Sequence, residues 1–432
     1  MCSDLSCFHE RLLCIFDTMK ILIKNIKTLV GIHDVSVQKV SGEEMAKLPC
    51  INDAWLAIDE GKIADYGSME NFPGIEDWRF LEVIDAAGKF VLPSWCDSHT
   101  HMVFAGTRES EFVDKINGLS YEEIAKRGGG IVNSAELLRN TSENDLYESA
   151  LMRLNEVIKN GTGAVEIKSG YGLNLESELK MLRVIKRLKE VSPIPIKSTF
   201  LGAHSFPAEF ISNRDAYVDL VVKEMIPAVA AEELADYVDV FCDRGFFDVE
   251  QTERILSAAG SYGIKPKIHA NELDYSGGIQ VGVKHRAVSV DHLEFTADNE
   301  IEELLNSNTM PTLLPSTAFF LGFDYPPARK IISSGLPLAL ASDYNPGSSP
   351  SGKMSFVISL ACIKLRMLPE EAINAATLNG AYAMELQHEV GSIAHGKRGN
   401  VIITKEIPSL AYIPYSFTAD LIDKVIVNGN VF

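Results

Sequence analysis

Two periods of apolar residues run along this chain, and the change from one to the other divides it. Near the start, Ile21-Leu22-Ile23, Ala54-Trp55-Leu56-Ala57-Ile58 and Leu81-Glu82-Val83-Ile84-Asp85 are short strand-forming runs separated by Gly and Asp turn signals. The end of the chain repeats that style in Asn400-Val401-Ile402-Ile403 and in Leu421 to Gly429. Because the termini of a domain often lie close together, residues 19–90 and 393–432 are predicted to pair into one small β-sandwich domain. Residues 1–18 lie upstream of the first strand-forming segment, which begins at Met19, and form an extension with no assigned role.

Between the two ends, short runs rich in β-branched residues alternate with longer amphipathic stretches, the pattern of repeated βα units. The strand candidates are Phe90 to Asp97, Gly163 to Lys168, Ile196 to Gly202, Val238 to Cys242, Lys265 to Ala270, Ala287 to His292, Met310 to Pro315 and Leu336 to Ser342. Leu175 to Val191 is predicted helical from Leu179, Leu182, Ile185 and Leu188 on one face, and Val249 to Tyr262 from its cap at Asp248. Eight such units predict an α/β fold, a (β/α)8 barrel over residues 91–392. The connection from Ser98 to Thr162 is unusually long and is expected to carry substrate-facing loops, Gly128-Gly129-Gly130 among them; Tyr121 within it is a weaker substrate candidate.

With 46% hydrophobic and 23% charged residues over 432 positions, the composition is that of a globular enzyme and excludes disordered, collagenous and coiled-coil classes. A formal charge of −19 repels polyanions, which speaks against nucleic acid and requires a local cation for any anionic small substrate. The seven cysteines are odd in number and form no Cys-x-x-Cys pair, which favours a reducing, cytoplasmic setting. No apolar run reaches the roughly 18 residues of a membrane span, and the charged residues before Thr18 break a signal-peptide pattern.

In a barrel of this kind functional side chains project from the C-terminal ends of the strands. The first predicted strand ends in Asp97-Ser98-His99-Thr100-His101, and positions two apart on an extended chain share a face, so both imidazoles can reach one ion. The fifth ends in His269-Ala270-Asn271-Glu272, the sixth in Asp291-His292-Leu293-Glu294 and the eighth in Ser342-Asp343-Tyr344-Asn345-Pro346-Gly347. Singly, each is more often an ordinary polar residue or a turn Asp. The coincidence changes the odds: of ten histidines, five (His99, His101, His204, His269 and His292) fall at predicted strand ends. Three imidazoles and a carboxylate suit one zinc or iron ion with a position left for water, whose pKa such an ion lowers to about 7. A second ion bridged by a carbamylated lysine would need Lys at the end of the fourth strand, which reads Val238-Asp239-Val240-Phe241-Cys242-Asp243; Lys168, ending the second, is read as structural or as a support to the ligands.

These segments, together with Gly106-Thr107-Arg108-Glu109, Glu166 to Leu173, Thr199 to His204 and Ser342 to Ser348, resemble the amidohydrolase superfamily, and within it the imidazolonepropionase family, from Met19 onward. Trp95-Cys96, Ser98 and Ser342 depart from the pattern and touch local packing. The resemblance implies a metal-dependent hydrolase that opens the cyclic amide of 4-imidazolone-5-propanoate to N-formimidoyl-L-glutamate in histidine degradation. It implies His99, His101, His269 and Asp343 as metal ligands and Arg108, Tyr171, His204 and Glu272 as substrate contacts. It also implies a homodimer, for which no motif speaks. Chemistry agrees on Arg108, whose planar fork engages the propionate as Lys cannot. Glu272, His292 and Asp343 are the proton-transfer candidates. The turn at Asn345, Gly347 and Ser348 is expected to offer backbone N–H groups to a carboxylate. Two alternatives stand beside this: a deaminase of a cytosine- or guanine-like ring, for which Arg108 would be dispensable, and a barrel kept as a structural or metal-sensing subunit.

Overall fold

Eight parallel strands form the centre of the protein, and the alternation of their residues decides what each side meets. In the computed structural model, which describes residues 20–119 and 130–432, they are β1 (Trp95–Thr100), β2 (Thr162–Lys168), β3 (Ile196–Ala203), β4 (Tyr237–Cys242), β5 (Lys265–Ala270), β6 (Ser289–His292), β7 (Met310–Leu313) and β8 (Ala339–Leu340). Each pairs in parallel with the next in chain order. The ring nearly closes just beyond the ladder, where Asp343 N–H donates to His99 O at 3.0 Å and His101 N–H to Tyr344 O at 2.8 Å. This is the expected barrel.

Along β2, β4, β5 and β6, one set of alternate residues is apolar: Val165, Ile167, Val238, Val240, Ile268 and Val290 join the main hydrophobic cluster. The helices Glu143–Lys159, Leu175–Val191 and Val249–Ser261 pack over that outer side. Leu175–Val191 has the bounds its periodicity predicts. Val249–Ser261 starts behind Asp248, whose side chain and that of Gln251 form a reciprocal capping box. The other alternate set, Glu166, Lys168, Asp239, Lys267 and Asp291, is charged, buried and directed at the barrel axis, where its members bond one another. The strands are thus two-sided: oily against the helices, ionic inside.

Both ends of the chain contribute to a second, mixed sheet built from Lys20–Val30, Cys50–Asp59, Lys62–Ser68, Leu81–Asp85, Lys89–Pro93, Val401–Glu406, Ile422–Val427 and Asn430–Val431. Seven of these strands follow one hydrogen-bonded path, Leu81–Asp85 branches from it beside Lys20–Val30, and the sheet encloses a cluster containing Ile21, Ile23, Ile58, Val401, Ile403 and Ile426. The bend brings Ile63 N–H to Lys397 O and Gly399 N–H to Gly61 O, both at 2.8 Å. The strand expected over Phe90 to Asp97 is in fact two. Lys89–Pro93 pairs antiparallel with Val401–Glu406, whereas Trp95–Thr100 begins the barrel. At the break, Ser94 N–H donates to Asn400 O at 3.0 Å and the next N–H, of Trp95, to Gly161 O at 2.9 Å.

The connection from Ser98 to Thr162 carries helices at Glu109–Ile116, Ile131–Asn140 and Glu143–Lys159 rather than loops alone. Tyr121 and Gly128-Gly129 lie outside the described residues. Gly130, at φ 89°, enters the helix Ile131–Asn140. Among the described residues, no helix is long and apolar enough to cross a membrane.

Candidate active site

The ends of β1 and β5 place His99, His101 and His269 so that one ring nitrogen from each lies within 4.8 Å of the others, and all three are buried. From the end of β8, Asp343 Oδ1 approaches His99 Nε2 at 3.6 Å and His101 Nε2 at 3.5 Å. His99 Nε2 is buried with no hydrogen-bond partner. A buried nitrogen without a partner costs free energy that an ion would remove, and three imidazoles with one carboxylate oxygen are a donor set that zinc or iron accepts. The residues present therefore fit a metal ion.

Carboxylates below the histidines fix their rings. Asp291 Oδ2 lies 2.6 Å from His99 Nδ1, and Asp239 Oδ2 lies 3.0 Å from His269 Nδ1. A carboxylate on one ring nitrogen sets the tautomer and leaves the other as the lone-pair donor. Sequence reasoning assigned neither aspartate a role. The signal was present, since each is a charge inside an apolar strand, Val238-Asp239-Val240 and Val290-Asp291, where only the axis-facing side could hold it.

A cavity of about 740 Å³ opens above the cluster. Its lining includes His101, His269, Asp343 and all the expected substrate and proton-transfer positions: Arg108, Tyr171, His204, Glu272, His292, Asn345, Gly347 and Ser348. His99 is beneath the floor, fully buried. Phe241 and Phe246, stacked with ring centroids 4.0 Å apart, and Phe112 and Phe320, at 5.4 Å, supply apolar walls.

Burial holds the ring of His292 neutral, its pKa pushed well below the usual range, and neither of its nitrogens has a hydrogen-bond partner. Its backbone, at φ 85°, and that of Asp343, at φ 54°, lie in the left-handed region that residues with a Cβ seldom adopt. Such strain persists where the surroundings over-determine it, and here it falls on two residues of one cavity. Glu272 Oε2 lies 3.6 Å from His292 Nδ1. Burial first, then the neighbouring Asp343, raises the Glu272 carboxyl well above the usual carboxylate range. Glu294, two residues past His292, has both oxygens buried without partners, and burial and Glu272 raise it likewise. Asp343 Oδ2 accepts from Thr317 Oγ1 at 2.6 Å.

His204 stacks on His101 at 5.1 Å, with Nδ1 3.1 Å from Gly170 O; burial lowers its pKa to about 3, so the ring is neutral. Arg108 is held by Glu111, whose Oε2 accepts from Nε at 2.9 Å and from Nη2 at 2.5 Å. The remaining terminal nitrogen, Nη1, rests against Gly347, where an added Cβ would lie 2.3 Å away. Glycine at 347 is thus needed for space. The backbone nest expected at this turn is not on offer: Asn345 Oδ1 already accepts from Gly347 N–H at 2.7 Å and from Ser348 N–H at 2.8 Å. Asn345 instead braces the loop, which leaves Arg108 as a cation on the cavity wall. Lys115, half-buried on the same wall, is a second cation that the sequence pattern did not single out.

Residues 90–432 match the Amidohydrolase family, and the chain belongs to it. Its likeness extends to E. coli guanine deaminase, with a TM-score of 0.71 at 14% identity over 96% of this chain and 99% of that one, which is a likeness of fold. At closer range it is 57% identical to the imidazolonepropionase of Christiangramia forsetii over 96% of this chain and 100% of that one. It is 43% identical to that of Parabacteroides distasonis over 96% and 99%. Within the amidohydrolases it is a member of the imidazolonepropionase family.

Proposed function

We propose that this protein hydrolyses the ring amide C–N bond of 4-imidazolone-5-propanoate, giving N-formimidoyl-L-glutamate in histidine degradation. The observation that carries this reading is one arrangement: a buried three-histidine, one-aspartate cluster under a cavity whose wall presents a single braced arginine. The family membership supports it. In this reading residues 91–392 carry the chemistry, and residues 19–90 with 393–432 form the accompanying β domain.

His99, His101, His269 and Asp343 would hold one zinc or iron ion. When bound, such an ion makes a water nucleophilic near neutral pH and polarises a carbonyl. The chain supplies the rest. Arg108 grips the substrate propionate through its unengaged guanidinium edge, and Tyr171 and His204 enclose the ring. Asp343 takes a proton from the attacking water as the new C–O bond forms. The neutral ring of His292 donates a hydrogen bond to the carbonyl oxygen as charge gathers there. Glu272, kept protonated by its surroundings, gives its proton to the ring nitrogen as the C–N bond breaks. Water, one broken bond and one protonated nitrogen account for the product.

The test is to follow the ultraviolet absorbance of enzymatically prepared 4-imidazolone-5-propanoate with the purified protein, before and after chelation. Loss of absorbance that stops on chelation and returns with zinc or iron is expected. A substrate left intact by the metal-loaded protein would refute the proposal, and two ions per chain on metal analysis would refute the single-ion centre.

A further inference from the structure

Beneath the histidine cluster, one ammonium group touches both carboxylates that orient the ligands. Lys168, from the end of β2, is fully buried. Its Nζ donates to Asp239 Oδ2 at 2.7 Å and lies 3.8 Å from Asp291 Oδ2. Those same two oxygens face the ligand rings, Asp239 Oδ2 at 3.0 Å from His269 Nδ1 and Asp291 Oδ2 at 2.6 Å from His99 Nδ1. A second hydrogen bond, to Glu166 Oε1 at 2.7 Å, anchors the lysine itself, and Glu166 is held in turn by Lys267 and by Thr199 Oγ1 at 2.6 Å.

We propose that Lys168 is a positioning residue for the metal centre, a clamp that joins Asp239 and Asp291 and so fixes His99 and His269 relative to each other. These histidines come from strands far apart in sequence, and their rings must keep their lone pairs on one point. Each aspartate alone fixes one ring. Two aspartates that face the same region of the barrel repel each other, and in a buried setting the repulsion is weakly screened. An ammonium placed between them turns repulsion into a shared attraction and ties the two rings to one reference point. The chemistry asks for a cation with several donors, and a lysine ammonium has three. Its position on β2 also separates it from a metal-bridging lysine: the ammonium is consumed by Glu166 and Asp239 and does not face the cavity.

This inference rests on the assignment of the four metal ligands, so the experiment separates the two. Metal dissociation constants are measured by competition with a chromogenic chelator, and Co2+ is used as a spectroscopic probe of ligand geometry, for the unaltered protein, Lys168→Gln, Lys168→Met and Tyr237→Phe. Lys168→Gln keeps two N–H donors and much of the volume, and it serves if Lys168→Met fails to fold. Tyr237→Phe removes a buried barrel hydroxyl that donates to Met384 O at 2.8 Å and to Glu385 Oε2 at 3.1 Å, bonds made to neither aspartate, and it serves as the control for a loss of stability. The expected result for Lys168→Gln is metal affinity weaker by about 10- to 100-fold, the range seen when a group orienting a ligand is removed, with an altered Co2+ spectrum and turnover recovered by excess metal. Tyr237→Phe is expected to melt earlier and bind metal normally. In an Asp291→Asn background Lys168→Gln should weaken affinity by less than it does alone, because the part of its effect that runs through Asp291 to the His99 ring is already lost. Native affinity and spectrum in Lys168→Gln would overturn the clamp, and so would an equal loss in Tyr237→Phe. If the unaltered protein takes up no metal, the ligand assignment itself falls.

Discussion

In the proposed function, substrate choice turns on Arg108. Its side chain is braced on one edge by Glu111 and packed against Gly347, so its free edge is presented in one orientation. A charged, bidentate contact contributes about 2–3 kcal/mol, so Arg108→Ala is expected to lower kcat/KM for the propionate substrate about 100-fold while leaving turnover of a ring analogue with an uncharged propyl chain unchanged. Equal kinetics on the anionic substrate would remove Arg108 as the group that holds the carboxylate. Gly347→Ala should give a similar kinetic loss with little change in melting temperature, since its Cβ would meet Arg108 Nη1 at 2.3 Å and the displaced group is a side-chain tip. For His204, burial lowers the pKa to about 3 from 6.5, so below pH 6.5 the unfolded chain binds a proton that the folded one refuses. Stability from this residue is complete above pH 6.5 and is lost as pH falls, by about 1.4 kcal/mol per unit. His204→Gln should therefore gain on the unaltered protein as pH is lowered from 7 to 5, in melting temperatures compared pairwise; a constant difference would contradict a neutral buried ring.

At the level of elements, the sequence pattern revealed what is repeated and missed what is shared. The barrel strands were legible because β-branched runs recur with turn signals, and Leu175–Val191 because Leu179, Leu182, Ile185 and Leu188 keep one helical face. The residues that cluster in the site were legible because a strand end is a place in the pattern, and His99, His101, His269 and Asp343 occupy it. The break at Ser94 was not, because Phe90 to Asp97 reads as one apolar run and only the pairing partner of each half separates them. Of the support under the candidate ligands, Lys168 was legible as a buried-strand cation, but Asp239 and Asp291 were not, because they acquire their meaning from Lys168 and the histidines across the barrel. The break has a steric counterpart in β2. A Cβ at Gly163 would lie 2.4 Å from Ser94 Cβ, and Gly163 O accepts from Asn400 Nδ2 at 2.9 Å, so barrel and terminal sheet meet there without room for a methyl group. Overpacking of this kind costs about 1–3 kcal/mol. Gly163→Ala should lower thermal stability by that amount and leave kcat near native, and a melting curve identical to that of the unaltered protein would show the contact to be loose.

Over the whole molecule, the interior carries more negative charge than its own cations balance. Around the barrel axis, leaving aside Asp97, whose carboxyl burial pushes up to about 7, the carboxylates Glu166, Asp239, Asp291 and Asp343 are buried together with the ammonium groups of Lys168 and Lys267. A divalent ion held by the histidine cluster would offset this negative charge; burial raises the Asp343 carboxyl above its usual range. A carboxyl raised in the folded state contributes stability that is present at low pH and lost as pH rises through its folded value. A metal ion reverses that loss because it binds the ionised form, which also means that uptake releases protons. At an ion concentration 100 times the dissociation constant, the folded state gains about 2.7 kcal/mol. Chelation should therefore lower the melting temperature by several degrees, and the gap between metal-loaded and metal-free protein should widen between pH 5 and pH 8. Differential scanning calorimetry at matched ionic strength reads both. A melting temperature indifferent to chelator at every pH would mean that the barrel tolerates its buried charge unaided, and the case for a metal-centred hydrolase would fail with it.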